Sequence, residues 1–135
     1  MEFKNVYSST IVVTLCGSSS LKEFFLKVKR HLSLKGYLVF DLPIYSKTDN
    51  VDLSDKDLEV LIGVHQRKIR ISDKILILTK EDLIIGENTY MEYQYAKLLE
   101  KDVYFMSSDS SLMEIKEIQT IIDLGESKYL IIPNN

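Results

Sequence analysis

A chain of 135 residues with a hydrophobic fraction of 45% is long enough for one domain with a real core. Its 17 basic and 20 acidic residues are interspersed for a net charge of −3, so no basic stripe recommends nucleic acid as a partner. The single cysteine, Cys16, excludes an internal disulfide framework and fits a reducing compartment. The N-terminus shows no signal-peptide pattern and no apolar run approaches the roughly 18 residues of a membrane span, so a cytoplasmic protein without a membrane partner is expected.

Residues 1–9 are polar and read as a loose arm on a single domain spanning 1–135. Thr10-Ile11-Val12-Val13-Thr14-Leu15-Cys16 is β-branched and apolar, as a central parallel strand requires, and it breaks into Gly17-Ser18-Ser19-Ser20. A helix is predicted from about Leu21 to Lys35, with Leu21, Phe24, Phe25, Val28 and Leu32 as its inner stripe and Gly36 ending it. Tyr37-Leu38-Val39-Phe40 is the second strand, closed by Asp41 and Pro43, and a polar loop runs from Ser46 to Ser54. The second helix covers about Asp55 to Arg70, with Leu58, Leu61, Ile62, His65 and Ile69 on one face.

Ile71-Ser72-Asp73 turns into a third strand, Lys74 to Thr79. A loop carrying Gly86 follows, then a helix from about Thr89 to Glu100, opening at Asn88 or Thr89. Val103 to Met106 is the fourth strand, Ser110 to Ile122 reads as a helix with a Ser-rich cap, and Tyr129 to Ile132 is the fifth strand. This alternation implies an α/β fold, a flavodoxin-like or Rossmann-like three-layer sandwich with a five-stranded parallel sheet in the order 2-1-3-4-5. The switch point would lie between strands one and three, flanked by the loops at Gly17 and Gly86.

Glu92 draws the chemistry. The expected strand–loop–helix order places it in a helix's first turn, near the carboxyl edge of the sheet, where a carboxylate suits a nucleophile. The structural alternative is a capping box, Thr89-x-x-Glu92, that only closes the helix start. Gly17-Ser18-Ser19-Ser20 offers N–H groups and hydroxyls to an anion, or simple caps to the first helix. His65 shares an apolar face and reads as a core histidine, and without a nearby second ligand a metal site has little support. Asp41 and Asp73 each follow or precede a strand, where turn aspartates are ordinary.

Three short motifs occur in order: Cys16-Gly17-Ser18; Val64-His65-Gln66-Arg67-Lys68-Ile69 with Ser72-Asp73-Lys74-Ile75; and Ile85-Gly86-Glu87-Asn88-Thr89 with Glu92, Tyr95 and Ala96. Together they resemble the nucleoside 2-deoxyribosyltransferase superfamily, its small bacterial members and the related 2′-deoxynucleoside 5′-phosphate N-hydrolases. The resemblance covers about Thr10 to Met106. It implies cleavage of the N-glycosidic bond of a 2′-deoxynucleoside or 2′-deoxynucleotide, with transfer to another base or to water and with no metal or organic cofactor. Glu92 would be the nucleophile and Asp73 would orient the sugar or base. Gly17, Ser18 and Ser19 would hold substrate, with Asp41, Gly86 and Asn88 as further substrate-binding candidates.

Relatives often place an arginine after the Gly-Ser pair, as G-S-x-R, whereas this loop has Ser19-Ser20. A weak preference between nucleoside and 5′-monophosphate is therefore expected, less than about tenfold. The resemblance also implies a homo-oligomer, and Tyr90, Tyr93 and Tyr95 with Met91 exceed what one inner helix stripe can bury. Two other readings stand beside this one: a non-catalytic nucleotide-binding module, and a TIR-like domain cleaving the nicotinamide bond of NAD.

Overall fold

The structure is a computed structural model describing residues 10–135, so the arm expected over 1–9 lies outside the described residues. In chain order the elements are β1 (Val12–Gly17), α1 (Lys22–Leu34), β2 (Leu38–Phe40), α2 (Asp55–Ile71), β3 (Lys74–Thr79), β4 (Ile84–Gly86), α3 (Glu87–Leu98), β5 (Asp102–Ser107), β6 (Lys116–Gly125) and β7 (Lys128–Pro133).

The apolar β-branched runs form a parallel half-sheet, β2-β1-β3-β5. Ile75 to Thr79 are all buried, as expected of a strand covered on both faces. Alternation then sorts side chains to two cores. Val13, Leu15, Leu76 and Leu78 face α1, meeting Phe25, Val28 and Leu32. Cys16, Ile75 and Ile77 face the other way, toward Ile69 of α2 and Ala96 of α3. This parity puts the only cysteine beneath the α2–α3 pair.

Beyond β5 the expectation of a five-stranded parallel sheet fails. The sheet has seven strands in the order β2-β1-β3-β5-β6-β7-β4, and β6, β7 and β4 each join their neighbours antiparallel. The helix expected over Ser110 to Ile122 is absent, and β6 takes much of its place. Ile118, Thr120, Ile121 and Ile122 are β-branched, which favours the pleated surface over a helix. Glu126 and Ser127 both hold positive φ, 54° and 60°, which makes the two-residue type I′ turn joining β6 to β7. The loop expected to carry Gly86 is instead the short edge strand β4, pairing Ile84 with Leu130.

Two glycines have positional reasons. Gly36 sits at φ +94° after α1, where Tyr37 N donates to Leu32 O and Gly36 N to Ser33 O, a Schellman ending. Gly17 ends β1 at φ +153°, and a Cβ there would lie 2.7 Å from Leu78 O and 3.3 Å from the Phe25 ring. β1 therefore approaches β3 more closely at this point than any side chain permits. Gly36→Ala meets nothing within 4 Å and carries only the backbone term. In urea titrations Gly36→Ala should cost about 1 kcal/mol and Gly17→Ala about 3 kcal/mol. Equal losses would show that the Leu78 backbone gives way freely.

Candidate functional site

Helix α2 is fixed at its start by Ser54, whose Oγ accepts from Asp57 N at 3.1 Å while Ser54 N donates to Asp57 Oδ2 at 3.2 Å. With that register, His65 falls on the sheet-facing side and is buried. Helix α3 follows β4 directly, with extended Gly86 as an N-cap that supplies no side-chain hydrogen bond. It therefore opens at Glu87, ahead of the expected start. Thr89 is buried inside the helix, the Thr89-x-x-Glu92 capping box does not form, and Glu92 stands in the second turn rather than the first.

Glu92 turns into the space between α2, α3 and the end of β1. Its Oε2 lies 2.9 Å from His65 Nε2, and the Glu92 side chain is 19% exposed. The same Nε2 is 3.4 Å from the fully buried Cys16 Sγ. The carboxylate approach is close but outside hydrogen-bond alignment, for Glu92 Oε2 and His65 Nδ1 have no hydrogen-bond partner among the described residues. A nucleophile–histidine–acid relay uses opposite ring nitrogens. Here both neighbours converge on one, so the trio is not such a relay. Burial first, and Glu92 second, push the Cys16 thiol well above its ordinary range, which keeps it neutral and unreactive.

Glu92 and His65 line a pocket of about 540 Å³ at the carboxyl edge of the parallel strands. Gly17, Ser18 and Ser19 form one wall and Gly86, Asn88 and Thr89 another. Leu58 and Ile62 of α2, 41% and 43% exposed, border the same space and leave an apolar surface there. Such a lining, apolar with a few polar groups converging, is that of a small-molecule pocket. The expected site residues Glu92, Gly17, Ser18, Ser19, Gly86 and Asn88 thus share one pocket.

Asp73 and Asp41 do not join them. A residue just ahead of a parallel strand must lie at the amino edge, because α2 has carried the chain back there. Asp73 Oδ2 accepts from Val12 N at 2.8 Å, and Asp73 N donates to Val12 O at 2.9 Å. The register that sets Gly17 against Leu78 leaves Asp73 five residues lower, roughly 16 Å away along the strand. Asp41 accepts from the Tyr45 hydroxyl at 3.1 Å and lies 3.5 Å from Lys29 Nζ, and its carbonyl accepts from Lys68 Nζ at 2.8 Å. It latches the loop after β2 to α1 and α2.

The serines mainly brace. Ser18 Oγ pairs with Ser20 Oγ at 2.8 Å, while Ser19 Oγ accepts from Lys47 N at 3.2 Å and Ser19 O from Thr48 Oγ1 at 2.8 Å. These bonds bring the loop after β2 over the pocket and carry Lys47, an exposed cation, to its rim. Sequence reading missed Lys47, for an aperiodic polar loop gives no signal of where it folds. It also missed the meeting of His65 with Cys16, which are 49 residues apart. The tyrosines of α3 are engaged within the chain: Tyr90 stacks on Tyr129 at 3.9 Å and Tyr93 at 6.2 Å, and Tyr95 accepts from Arg70. Their number therefore no longer argues for a subunit interface.

No family model and no curated protein matches this chain. No helix among the described residues is long and apolar enough to cross a membrane.

Cys16 should resist iodoacetamide in the native protein at neutral pH and react completely after unfolding, as read by intact mass. Rapid labelling of the native state would show a reactive thiolate and would reopen a nucleophilic role for this residue.

Proposed function

We propose that the protein cleaves the N-glycosidic bond of a 2′-deoxynucleoside or its 5′-monophosphate, with Glu92 as nucleophile. The observation that carries this reading is the sheltered Glu92 Oε2, held beside His65 at the wall of a nucleoside-sized pocket without an aligned hydrogen bond. A carboxylate that is positioned but not saturated keeps a lone pair for an electrophilic carbon. The order of motifs shared with the nucleoside 2-deoxyribosyltransferase superfamily supports the same assignment.

In the first step Glu92 bonds to the anomeric carbon as the base departs with the electrons of the N-glycosidic bond. The transition state has oxocarbenium character, which a missing 2′-hydroxyl makes easier to reach. A second acceptor then displaces the carboxylate. Water gives hydrolysis, adding hydroxyl to the sugar and hydrogen to the base nitrogen, and a second base gives transfer. The apolar surface of Leu58 and Ile62 would receive the base. His65 would keep the carboxylate in place. Asp73 has no part in this mechanism, since it lies at the far edge of the sheet.

Incubation with deoxynucleosides, their monophosphates and NAD, followed by chromatography, is the direct test. Free nucleobase is expected from the deoxy compounds. Nicotinamide alone would favour the NAD-cleaving reading, and binding with no release the silent module. On whichever substrate is cleaved, Glu92→Ala should lower kcat by at least about a thousandfold. Its circular dichroism should stay unchanged, because Glu92 caps no helix terminus. Retention of wild-type turnover would remove Glu92 as nucleophile.

Lys47 changes the expectation for the substrate's 5′ end. It borders the pocket beside Ser18 and Ser19 and supplies the positive charge that the Gly17 loop lacks. A single charge-assisted contact is worth about 1.5–3 kcal/mol. Lys47→Ala should therefore lower kcat/KM for the monophosphate by about tenfold or more and leave the nucleoside within about twofold. Equal losses on both substrates would show that Lys47 acts on the loop and not on phosphate.

A further inference from the structure

We propose that Cys16, His65 and Glu92 form a binding site for a zinc-class divalent cation. The three come from separate elements: the end of β1, the middle of α2 and the second turn of α3. Their ligating atoms all lie within 4.8 Å of one another. Sulfur and oxygen both approach the same imidazole nitrogen, so one donor atom from each residue is gathered in one small volume. Around tetrahedral zinc, N···O and N···S separations are about 3.4 and about 3.6 Å, from bond lengths near 2.1 and 2.3 Å. The observed 2.9 and 3.4 Å need up to about half an ångström of spreading, and the sulfur–oxygen separation is at most 4.8 Å.

The donor set selects the metal. A thiolate, an imidazole and a carboxylate suit zinc or cobalt, whereas magnesium and calcium take oxygen ligands. Charge agrees. Two anions beside a dication sum to zero, which a buried site tolerates far better than two unpaired anions. The cation would also give Glu92 Oε2, buried and without a hydrogen-bond partner among the described residues, a strong partner. Glu92 and His65 both border the pocket, so a fourth coordination position faces it and is open to water. Binding displaces the Cys16 thiol proton, which leaves to solvent. His65 Nδ1 has no acceptor among the described residues, so the site lacks the usual outer brace and belongs among the weaker zinc sites.

The consequence for activity rests on the glycosidic reading above. A cation on Oε2 occupies the lone pair that attacks carbon, so metal binding and catalysis exclude each other at this carboxylate. Binding itself does not depend on that reading and is tested apart from it.

The test is titration of the chelator-treated full chain with cobalt(II), followed by absorption. One equivalent should produce a thiolate-to-cobalt charge-transfer band in the near ultraviolet with visible bands of tetrahedral cobalt. Because Cys16 is the only cysteine, that band identifies the ligand without any variant. Cys16→Ala should abolish it, Glu92→Gln should raise Kd at least tenfold, and His31→Ala, on α1, should leave it unchanged. Folding of each variant is checked by circular dichroism. Should Cys16→Ala not fold, the wild-type band and the Glu92→Gln titration still decide. No charge-transfer band at saturating cobalt, or equal Kd for wild type and Glu92→Gln, overturns the site whether or not the protein cleaves any nucleoside.

Discussion

The geometry of the pocket depends on one buried approach, the 2.9 Å between His65 Nε2 and Glu92 Oε2. It joins α2 to α3 over the end of β1 and fixes where the carboxylate can go. Exposed pairs of the same length do little by comparison. Lys22 and Asp49, also 2.9 Å apart, are worth about 0–1 kcal/mol in water. Removing one side of a sheltered polar contact costs more, because the polar atom left behind stays desolvated. Ile69, Ile77 and Ala96 belong to the hydrophobic core on this face of the sheet.

The antiparallel extension of the sheet serves the same contact from the other side. Tyr129 on β7 stacks on Tyr90 at 3.9 Å and donates from its hydroxyl to Glu87 Oε2 at 2.8 Å. Those two bonds hold the first turn of α3, one turn ahead of Glu92. β4 leads straight into that helix and is itself paired to β7. A hairpin in the place of an expected helix thus positions the residue on which the proposed chemistry turns. The opposite wall is set by Gly17, whose close approach to Leu78 starts the serine-braced loop.

Where periodicity was unambiguous, the sequence was legible. The third strand, Lys74 to Thr79, runs as read, and α1 and α2 end within a residue of expectation. Residues 110–122 were not legible, because Leu112, Ile115, Ile118 and Ile122 also fit a helical spacing. The turn that would have signalled a hairpin is Glu126-Ser127, with none of the usual Asn-Gly chemistry. Of the candidate site, the glycine and serine loop and Glu92 were legible from local motifs. Asp73 was misplaced because a motif records chain order and says nothing of which sheet edge a residue reaches. The Cys16–His65–Glu92 cluster needs the strand parity and the helix docking together, and neither is local.

The central claim is that Glu92 forms a covalent bond to the sugar, and trapping that bond tests it most directly. A deoxynucleoside bearing fluorine at the 2′ position destabilises the cationic transition states and slows breakdown of the glycosyl-enzyme. After incubation, intact mass and peptide mapping would locate the added sugar. The account predicts one fluorosugar per chain, on the peptide containing Glu92 and absent from Glu92→Gln. Release of base with no adduct, or an adduct carried by another residue, would contradict it.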